Sequence, residues 1–245
     1  MDKDGNLVNA DERWPVVMGS EQPEYYTTTK AQGEAIVLES NRTTSHPNFL
    51  TTAIRPAGIF GEGDVQMLPS MLKASQQGQS KVQIGDNQNL FDFTYVENIA
   101  HAHLLATQAL LATHRIAPTI PLDTERVDGE AFFITNDSPV YFWDFARMVW
   151  KEGGETQEVS KNWVLSKDFA MAIGMIMEWV YWAMGKGAPN LTRQRARYTC
   201  INRYYCIDKA KRRLGYEPMV SLEEGVRRGV KDIMSRQGLG DKKAQ

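Results

Sequence analysis

Tyr26 and Lys30 stand four residues apart in the stretch EQPEYYTTTKAQGEAIVLESN, residues 21–41, where a helical pattern begins. Residues i and i+4 share one face of a helix. A lysine ammonium held there stabilises a tyrosine's phenolate by charge. A phenolate can take the proton from a substrate alcohol while hydride leaves the same carbon. The same spacing also arises from two large side chains packed on one side of a helix. By itself the pair allows both readings.

The elements that would carry such a pair can be read from periodicity. The stretch YTTTKAQGEAIVLESN predicts a helix with Ala31, Ala35 and Leu38 at helical spacing. NFLTTAIRP predicts a strand over Leu50–Arg55, followed by a glycine-rich loop, GIFGEGD. QMLPSMLKASQQG predicts a short helix stopped by Gly78, and KVQIGDNQNLFDFTYV two extended pieces around Gly85-Asp86-Asn87. ENIAHAHLLATQALLA predicts an amphipathic helix with Ile99, His103, Ala106 and Leu110 on its apolar stripe. EAFFITND reads as a buried strand. SPVYFWDFARMVWKEGG reads as a helix with Ser138 as N-cap, Pro139 in the first turn and Gly153 at the end. Ser221 and Glu224 open a last helix as a capping box, and GLGDKKAQ reads as a frayed tail. Strands alternating with helices predict an α/β domain with a mostly parallel sheet.

Composition limits the function classes. An apolar fraction of 42% and a charged fraction of 24% are those of a globular chain. A net charge of −2 argues against general nucleic-acid binding. Cys200 and Cys206 fit neither a disulfide framework nor a zinc spacing, and His101 and His103 fall on different helix faces. No metal site is expected. The N-terminal MDKDGNLVNADERWP lacks the apolar core of a signal peptide and reads as a loop, which leads us to expect further sequence upstream.

Residues 169–185, FAMAIGMIMEWVYWAMG, are apolar apart from Glu178 and rich in Trp and Tyr. The segment is shorter than the roughly 20 apolar residues of a spanning helix. Its aromatics favour a helix lying in the membrane interface or a lid that dips into it. A buried helix and a true span are the other readings. The stretch Arg193–Arg213 carries eight basic residues against Asp208. It can be a solvated face, a contact for anionic lipid, or the source of an arginine, Arg193 or Arg197, for a substrate carboxylate. The Asn-x-Thr sequons at Asn41 and Asn190 read as chance.

Several motifs in order make the chain resemble the 3β-hydroxysteroid dehydrogenase family of extended short-chain dehydrogenases. They are NADERWP, Tyr-x-x-x-Lys opening a helix, RPAGIFGEGD, LFDFTYVENIAHAHLLA, FFITNDSPVYFWDFARMVW, MEWVYWAMGKG and INRYYCIDKAKRRLGYEPMVSLEEGVRRGV. The nearest branch is the decarboxylating one that acts on sterol 4α-carboxylates, and the resemblance runs from about Gly5 to Val230. It implies a C-terminal part of a Rossmann-like doubly wound parallel sheet, residues 1–135, with a smaller, mainly helical substrate region at 136–245.

The resemblance further implies that Tyr26 is the general base and that Lys30 assists it and bonds the cofactor ribose. Pro56, Ala57, Gly58 and Ile59 would shape a nicotinamide pocket for NAD or NADP through backbone contacts, or form no more than a strand-to-loop turn. Phe91, Asp92, Phe93 and Tyr95 would organise the loop beneath the site. The implied partners are a steroid or sterol substrate, a membrane surface, and either a second copy of the chain or other enzymes of sterol synthesis. The implied place is the cytosolic face of the endoplasmic reticulum membrane. Sugar-nucleotide epimerases and dehydratases are the sister alternative, and a non-catalytic chain binding membrane or a partner is another.

The chain departs from the family in two respects. It contains no Gly-x-x-Gly-x-x-Gly loop with its later acidic residue. The catalytic Ser or Thr that precedes the DG loop in the family is also lacking, and Ser20 is six residues from Tyr26, in the wrong place to replace it. An exposed strand edge and weak cofactor binding by the chain alone are therefore expected.

Overall fold

The computed structural model describes residues 5–17, 25–155 and 163–238. Ser20 and nearly all of the C-terminal tail lie outside them.

Strands pair in parallel almost throughout. β2 (Ala53–Pro56) runs beside β7 (Ala131–Ile134) with Ala53 opposite Ala131 and Pro56 opposite Ile134. β3 (Gly58–Phe60) runs beside β6 (Phe93–Tyr95), and β4 (Val82–Ile84) beside β9 (Trp163–Leu165), both in parallel. A four-stranded sheet takes the order β1 (Leu7–Ala10), β10 (Arg203–Tyr205), β5 (Leu90–Phe91), β8 (Val140–Tyr141), and β8 alone is antiparallel to its neighbour. This is the parallel α/β architecture expected. The strand expected from Leu50 begins at Ala53. The two extended pieces expected around Gly85 are three strands, because Asp92 breaks β5 from β6.

The helices are α1 (Tyr25–Glu39), α2 (Met67–Gln76), α3 (Val96–Arg115), α4 (Phe142–Glu152), α5 (Lys167–Ala183), α6 (Arg193–Tyr198), α7 (Asp208–Leu214) and α8 (Leu222–Arg236). α3 buries Asn98, Ile99, Ala102, Ala106 and Thr113 along its inner face. His103, expected on that stripe, points outward, and its Nδ1 lies 2.8 Å from the carbonyl of Ile99. α4 starts at Phe142 rather than beside Ser138, and its N-cap position, Tyr141, makes no side-chain capping bond. The intervening Val140–Tyr141 pairs with β5 instead. Ser221 caps α8 by accepting from the Glu224 N–H. The Glu224 carboxylate turns to Arg227 and Arg228, so only half of the capping box forms.

One core joins α2, α4 and α8 to β3, β5 and β6, with Phe60, Phe91, Phe93, Tyr95 and Phe145 fully buried. The Phe93 and Phe145 rings stack with centroids 3.6 Å apart. Gly225 and Gly229 let α8 reach this core. A Cβ on Gly229 would stand 2.6 Å from Leu68 Cδ1 and 3.1 Å from the Gly61 backbone. A second core lies under α3 and α7 against β7. Asn98 fixes the two together. Its buried amide donates to Asn136 Oδ1 and the Val220 carbonyl, and its oxygen accepts from Met219 and Val220.

The two edges of the β2–β7 sheet differ. On the outer edge of β7, the Phe133 N–H donates to Glu12 Oε1 at 2.7 Å and the Ala131 carbonyl accepts from Lys209 Nζ at 2.7 Å. On the outer edge of β2, alternation places the backbone groups of Ile54, and no described strand pairs there. α1 beside it buries no residue, and Ile36 and Val37 are exposed.

Candidate active site

Tyr26 and Lys30 both fall in the first turns of α1, with Lys30 Nζ 5.6 Å from the centre of the Tyr26 ring. Neither is packed away. Tyr26 is 70% exposed and Lys30 is exposed. Glu34 continues the same face one turn further and receives Arg55 of β2 at 2.8 Å. Thr51 Oγ1 donates to the carbonyl of Val37. Moving along the chain from Thr51 to Arg55 therefore moves back along α1 from Val37 to Glu34. The helix and strand are antiparallel, and the segment after Arg55 heads toward Lys30 and Tyr26. The Glu34–Arg55 pair sets this alignment, and the sequence motifs did not single it out. Glutamate eight residues after the tyrosine is the signal that was there to find.

Pro56 ends β2 and Gly58–Ile59 open β3. The turn between them is held by Thr94, a buried residue also missed in the sequence. The Ala57 N–H faces the Ile134 carbonyl at 3.1 Å and Thr94 Oγ1 at 3.0 Å, while the threonine hydroxyl donates to Ile134. With its amide engaged, Ala57 has only its carbonyl and methyl to offer a ligand. The Ile59 side chain is about half exposed, and Gly58 has Met67 Cε where a Cβ would stand, at 2.9 Å.

The glycine loop that follows is fastened from α8. Asp64 accepts from the N–H groups of Gln66, Met67 and Leu68 and so starts α2. Gly63 N–H donates to Asp232, Arg236 donates to the Asp64 carbonyl, and the Tyr95 hydroxyl donates to Glu62 at 2.6 Å. Burial first, and then Glu62, push the Tyr95 phenol well above its usual range. Tyr95, Phe91 and Phe93 are thus core and loop supports.

Asp92 is only 1% exposed. Its Oδ2 accepts from the Tyr205 N–H at 2.8 Å, and its Oδ1 has no protein partner among the described residues. Burial pushes its carboxyl up to about 7, with Asp137 adding to the rise and the Tyr205 N–H opposing it. The folded chain then holds a proton that the unfolded chain releases near pH 4. Its stabilisation is present below that pH and is lost as pH rises to about 7. Asp92→Asn keeps the acceptor for Tyr205 and removes the ionisation. Thermal melts should show a midpoint at pH 8 raised by several degrees, at about 2–4 °C per kcal/mol, and little change at pH 4.5. An undiminished fall in midpoint between pH 5 and 8 would count against this account.

The basic stretch is largely paired within the chain. Arg193 bonds Glu178 at 2.8 Å, Lys209 bonds Glu130 at 2.7 Å and Lys211 lies 2.6 Å from Asp137. Arg193 is therefore not a free partner for a substrate carboxylate. Arg197 turns toward Gly5. Cys200 and Cys206 are free thiols, and burial pushes Cys200 up.

α5 is not a buried helix. Ala170 and Gly174 face α6 so closely that a Cβ on Gly174 would stand 2.7 Å from the Arg193 nitrogen. Phe169, Ile176, Trp179 and Trp182 turn outward, Trp182 with 77% of its surface exposed. Among the described residues no helix is long and apolar enough to cross a membrane.

Comparison with known proteins bears on the family and the fold. The profile of the 3-beta hydroxysteroid dehydrogenase/isomerase family fits residues 2–166. The sterol-4-alpha-carboxylate 3-dehydrogenase, decarboxylating, of Saccharomyces cerevisiae is 47% identical over 220 residues, covering 89% of this chain and 58% of its own. The human protein of that name is 34% identical over 232 residues, covering 93% and 57%. The chain spans 58–60% of the length of the first three such relatives, all fungal. In fold it is similar to gox2253, with a TM-score of 0.64 at 21% identity over 97% of this chain and 63% of that one. It is also similar to the Bordetella bronchiseptica enzyme WbmF, solved in complex with NAD+, with a TM-score of 0.57 at 14% identity over 95% and 59%. Parallel α/β architecture, ordered motifs and these similarities agree, and the chain belongs to the 3-beta hydroxysteroid dehydrogenase/isomerase family.

Proposed function

We propose that this chain is the Tyr–Lys-bearing part of an NAD(P)+-dependent dehydrogenase of sterol biosynthesis, which oxidises the 3β-hydroxyl of a sterol 4α-carboxylate with loss of carbon dioxide. The observation that carries the reading is the Tyr26–Lys30–Glu34 stripe, in which Tyr26 and Lys30 are exposed and the half-buried Glu34 is paired with Arg55 of β2. The names of the fungal and human relatives support the substrate class.

The residues fit the nicotinamide–ribose half of a dinucleotide. Lys30 is exposed for the ribose hydroxyls, and Pro56, Ala57, Gly58 and Ile59 offer a wall with one exposed isoleucine. The described residues carry no glycine-rich cradle for the pyrophosphate. A bound nicotinamide supplies the acceptor for the hydride from C3. Tyr26, as phenolate, accepts the hydroxyl proton, and the Lys30 ammonium on the same face stabilises that anion. The product is a 3-keto-4-carboxylate. Its C4–carboxyl bond breaks with the electron pair passing into the ketone as an enolate, which is then reprotonated. That step needs no metal and no dedicated residue.

Residues 1–135 would form the cofactor-side unit and 136–245 the substrate-side unit. The outward face of α5 supports attachment to the cytosolic face of the endoplasmic reticulum membrane, with tryptophans at headgroup depth. Trp179→Ser with Trp182→Ser should lower co-sedimentation with neutral phospholipid vesicles by about tenfold or more. Equal sedimentation of both proteins would remove the membrane role of α5.

The deciding experiment is incubation of the chain with a 4α-carboxysterol and NAD+ or NADP+, reading reduced nicotinamide and released carbon dioxide together. Equal amounts of both are expected. Calorimetric titration with the two nucleotides accompanies it. No binding up to millimolar and no turnover would favour the second reading, a non-catalytic chain docking to membrane or a partner, which the exposed α5 face also supports.

A further inference from the structure

Lys30 stands between two side chains that compete for its charge. Tyr26 lies one helical turn before it on α1 and Glu34 one turn after, so the three share a face. Side chains on a helix lean toward its N-terminus. Lys30 does so, with its Nζ 5.6 Å from the centre of the Tyr26 ring. Glu34, leaning the same way and left alone, would come over Lys30. An ammonium bonds a carboxylate more strongly than a neutral phenol, because both partners of that bond are charged. Glu34 is instead turned to β2. Its Oε2 accepts from Arg55 Nε at 2.8 Å and its Oε1 from Arg55 Nη2, so both oxygens are taken.

Arg55 is itself held in place for this. The ring of Phe133 on β7 backs the guanidinium, its centre 5.4 Å away, and Tyr205 of β10 stacks on Phe133 at 4.4 Å. Glu12, which accepts from the Phe133 N–H, also faces Arg55 with its charge. A planar guanidinium grips both oxygens of a carboxylate at once, which a lysine in its place could not do.

We infer that Arg55 is a positioning residue that keeps the Glu34 carboxylate off Lys30, and so leaves the lysine to Tyr26 and the cofactor ribose. The inference rests on the dehydrogenase reading for what Lys30 serves, while the competition itself stands on the geometry of α1, β2 and β7. It goes beyond alignment of the helix, because it assigns Arg55 an effect on the charge beside Tyr26.

The test compares Arg55→Met, Arg55→Lys and the double variant Arg55→Met with Glu34→Gln against the parent. Crystal structures and the pH–rate profile of NAD(P)+ reduction with a 4α-carboxysterol are the two readouts. In Arg55→Met the Lys30 ammonium should stand within about 4 Å of the Glu34 carboxylate. A lysine shared with a carboxylate stabilises a phenolate less, so the acid limb of the profile should move up by about one pH unit. Arg55→Lys keeps a cation beside Glu34, which guards the test against misfolding, and should move the limb the same way by less. The double variant has no carboxylate to compete, and its limb should return to the parent position even where its plateau stays low. A role in alignment alone predicts the opposite pattern, a fallen plateau in both Met variants with the limb unmoved. Lys30 still over Tyr26 in the Arg55→Met crystal, or a limb that the second substitution does not restore, overturns the inference. Lys30 drawn onto Glu34 in a chain without turnover upholds the competition and sinks the dehydrogenase reading instead.

Discussion

If Tyr26 is the general base proposed above, Tyr26→Phe should lower sterol-dependent reduction of NAD(P)+ by about 10²–10⁴-fold, the range for removing a positioned general base. The phenyl ring keeps the shape and the contact with the Lys30 ammonium, whose nitrogen lies 5.6 Å from the ring centre. Only the hydroxyl is lost. Because Tyr26 is 70% exposed and hydrogen-bonds nothing through that hydroxyl among the described residues, stability should change by no more than about 0.5 kcal/mol. Loss of rate without loss of stability is what separates a proton-accepting tyrosine from a structural one. Turnover of Tyr26→Phe within threefold of the parent, measured side by side, would remove Tyr26 from the mechanism.

The second large effect lies far from the chemistry. Arg42 donates to Asp128 at 2.6 Å, and the aspartate side chain is wholly buried. Burial works to raise the Asp128 carboxyl, but Arg42 and then Asn41 outweigh it and hold the group below the usual carboxylate range. Arg42→Met strands that charge, at a cost of about 3–5 kcal/mol in urea or thermal unfolding at pH 7. Because the folded carboxyl titrates low, the pair's contribution is present above about pH 4 and is lost as pH falls through the folded value. The gap between parent and variant should therefore close in acid. Adding Asp128→Leu to Arg42→Met should recover most of the loss, since apolar replacement of both partners removes the buried charge. A double variant no more stable than Arg42→Met would show that shape, not charge, is what the site needs.

Elements whose signal is local could be read from the chain. α3 announces itself by period, α8 by Ser221, and the end of α2 by Gly78, which takes a left-handed conformation. Features made by distant partners could not. Ser138-Pro139 looks like a helix start, yet Val140–Tyr141 is claimed by β5, some fifty residues upstream, and the helix waits until Phe142. His103 satisfies the apolar period of α3 but lies at its edge and turns to solvent. Tyr26, Lys30 and the Pro56–Ile59 turn were singled out by motif. Thr94 and the Glu34–Arg55 pair, which orient them, were not, because their roles exist only once β2, β6 and α1 meet.

The unequal edges of the β2–β7 sheet bear on how copies of this chain can associate through their backbones. Glu12 and Lys209 occupy the outer rim of β7 as a side-chain stopper, while on the rim of β2 no described strand pairs. A sheet open on both rims can stack without limit, each copy receiving one neighbour and offering itself to the next. A sheet stoppered on one rim pairs once and is finished. Among the described residues, strand pairing between two copies through this sheet would be limited to the β2 rim, and pairing through β7 would first require displacing Glu12 and Lys209.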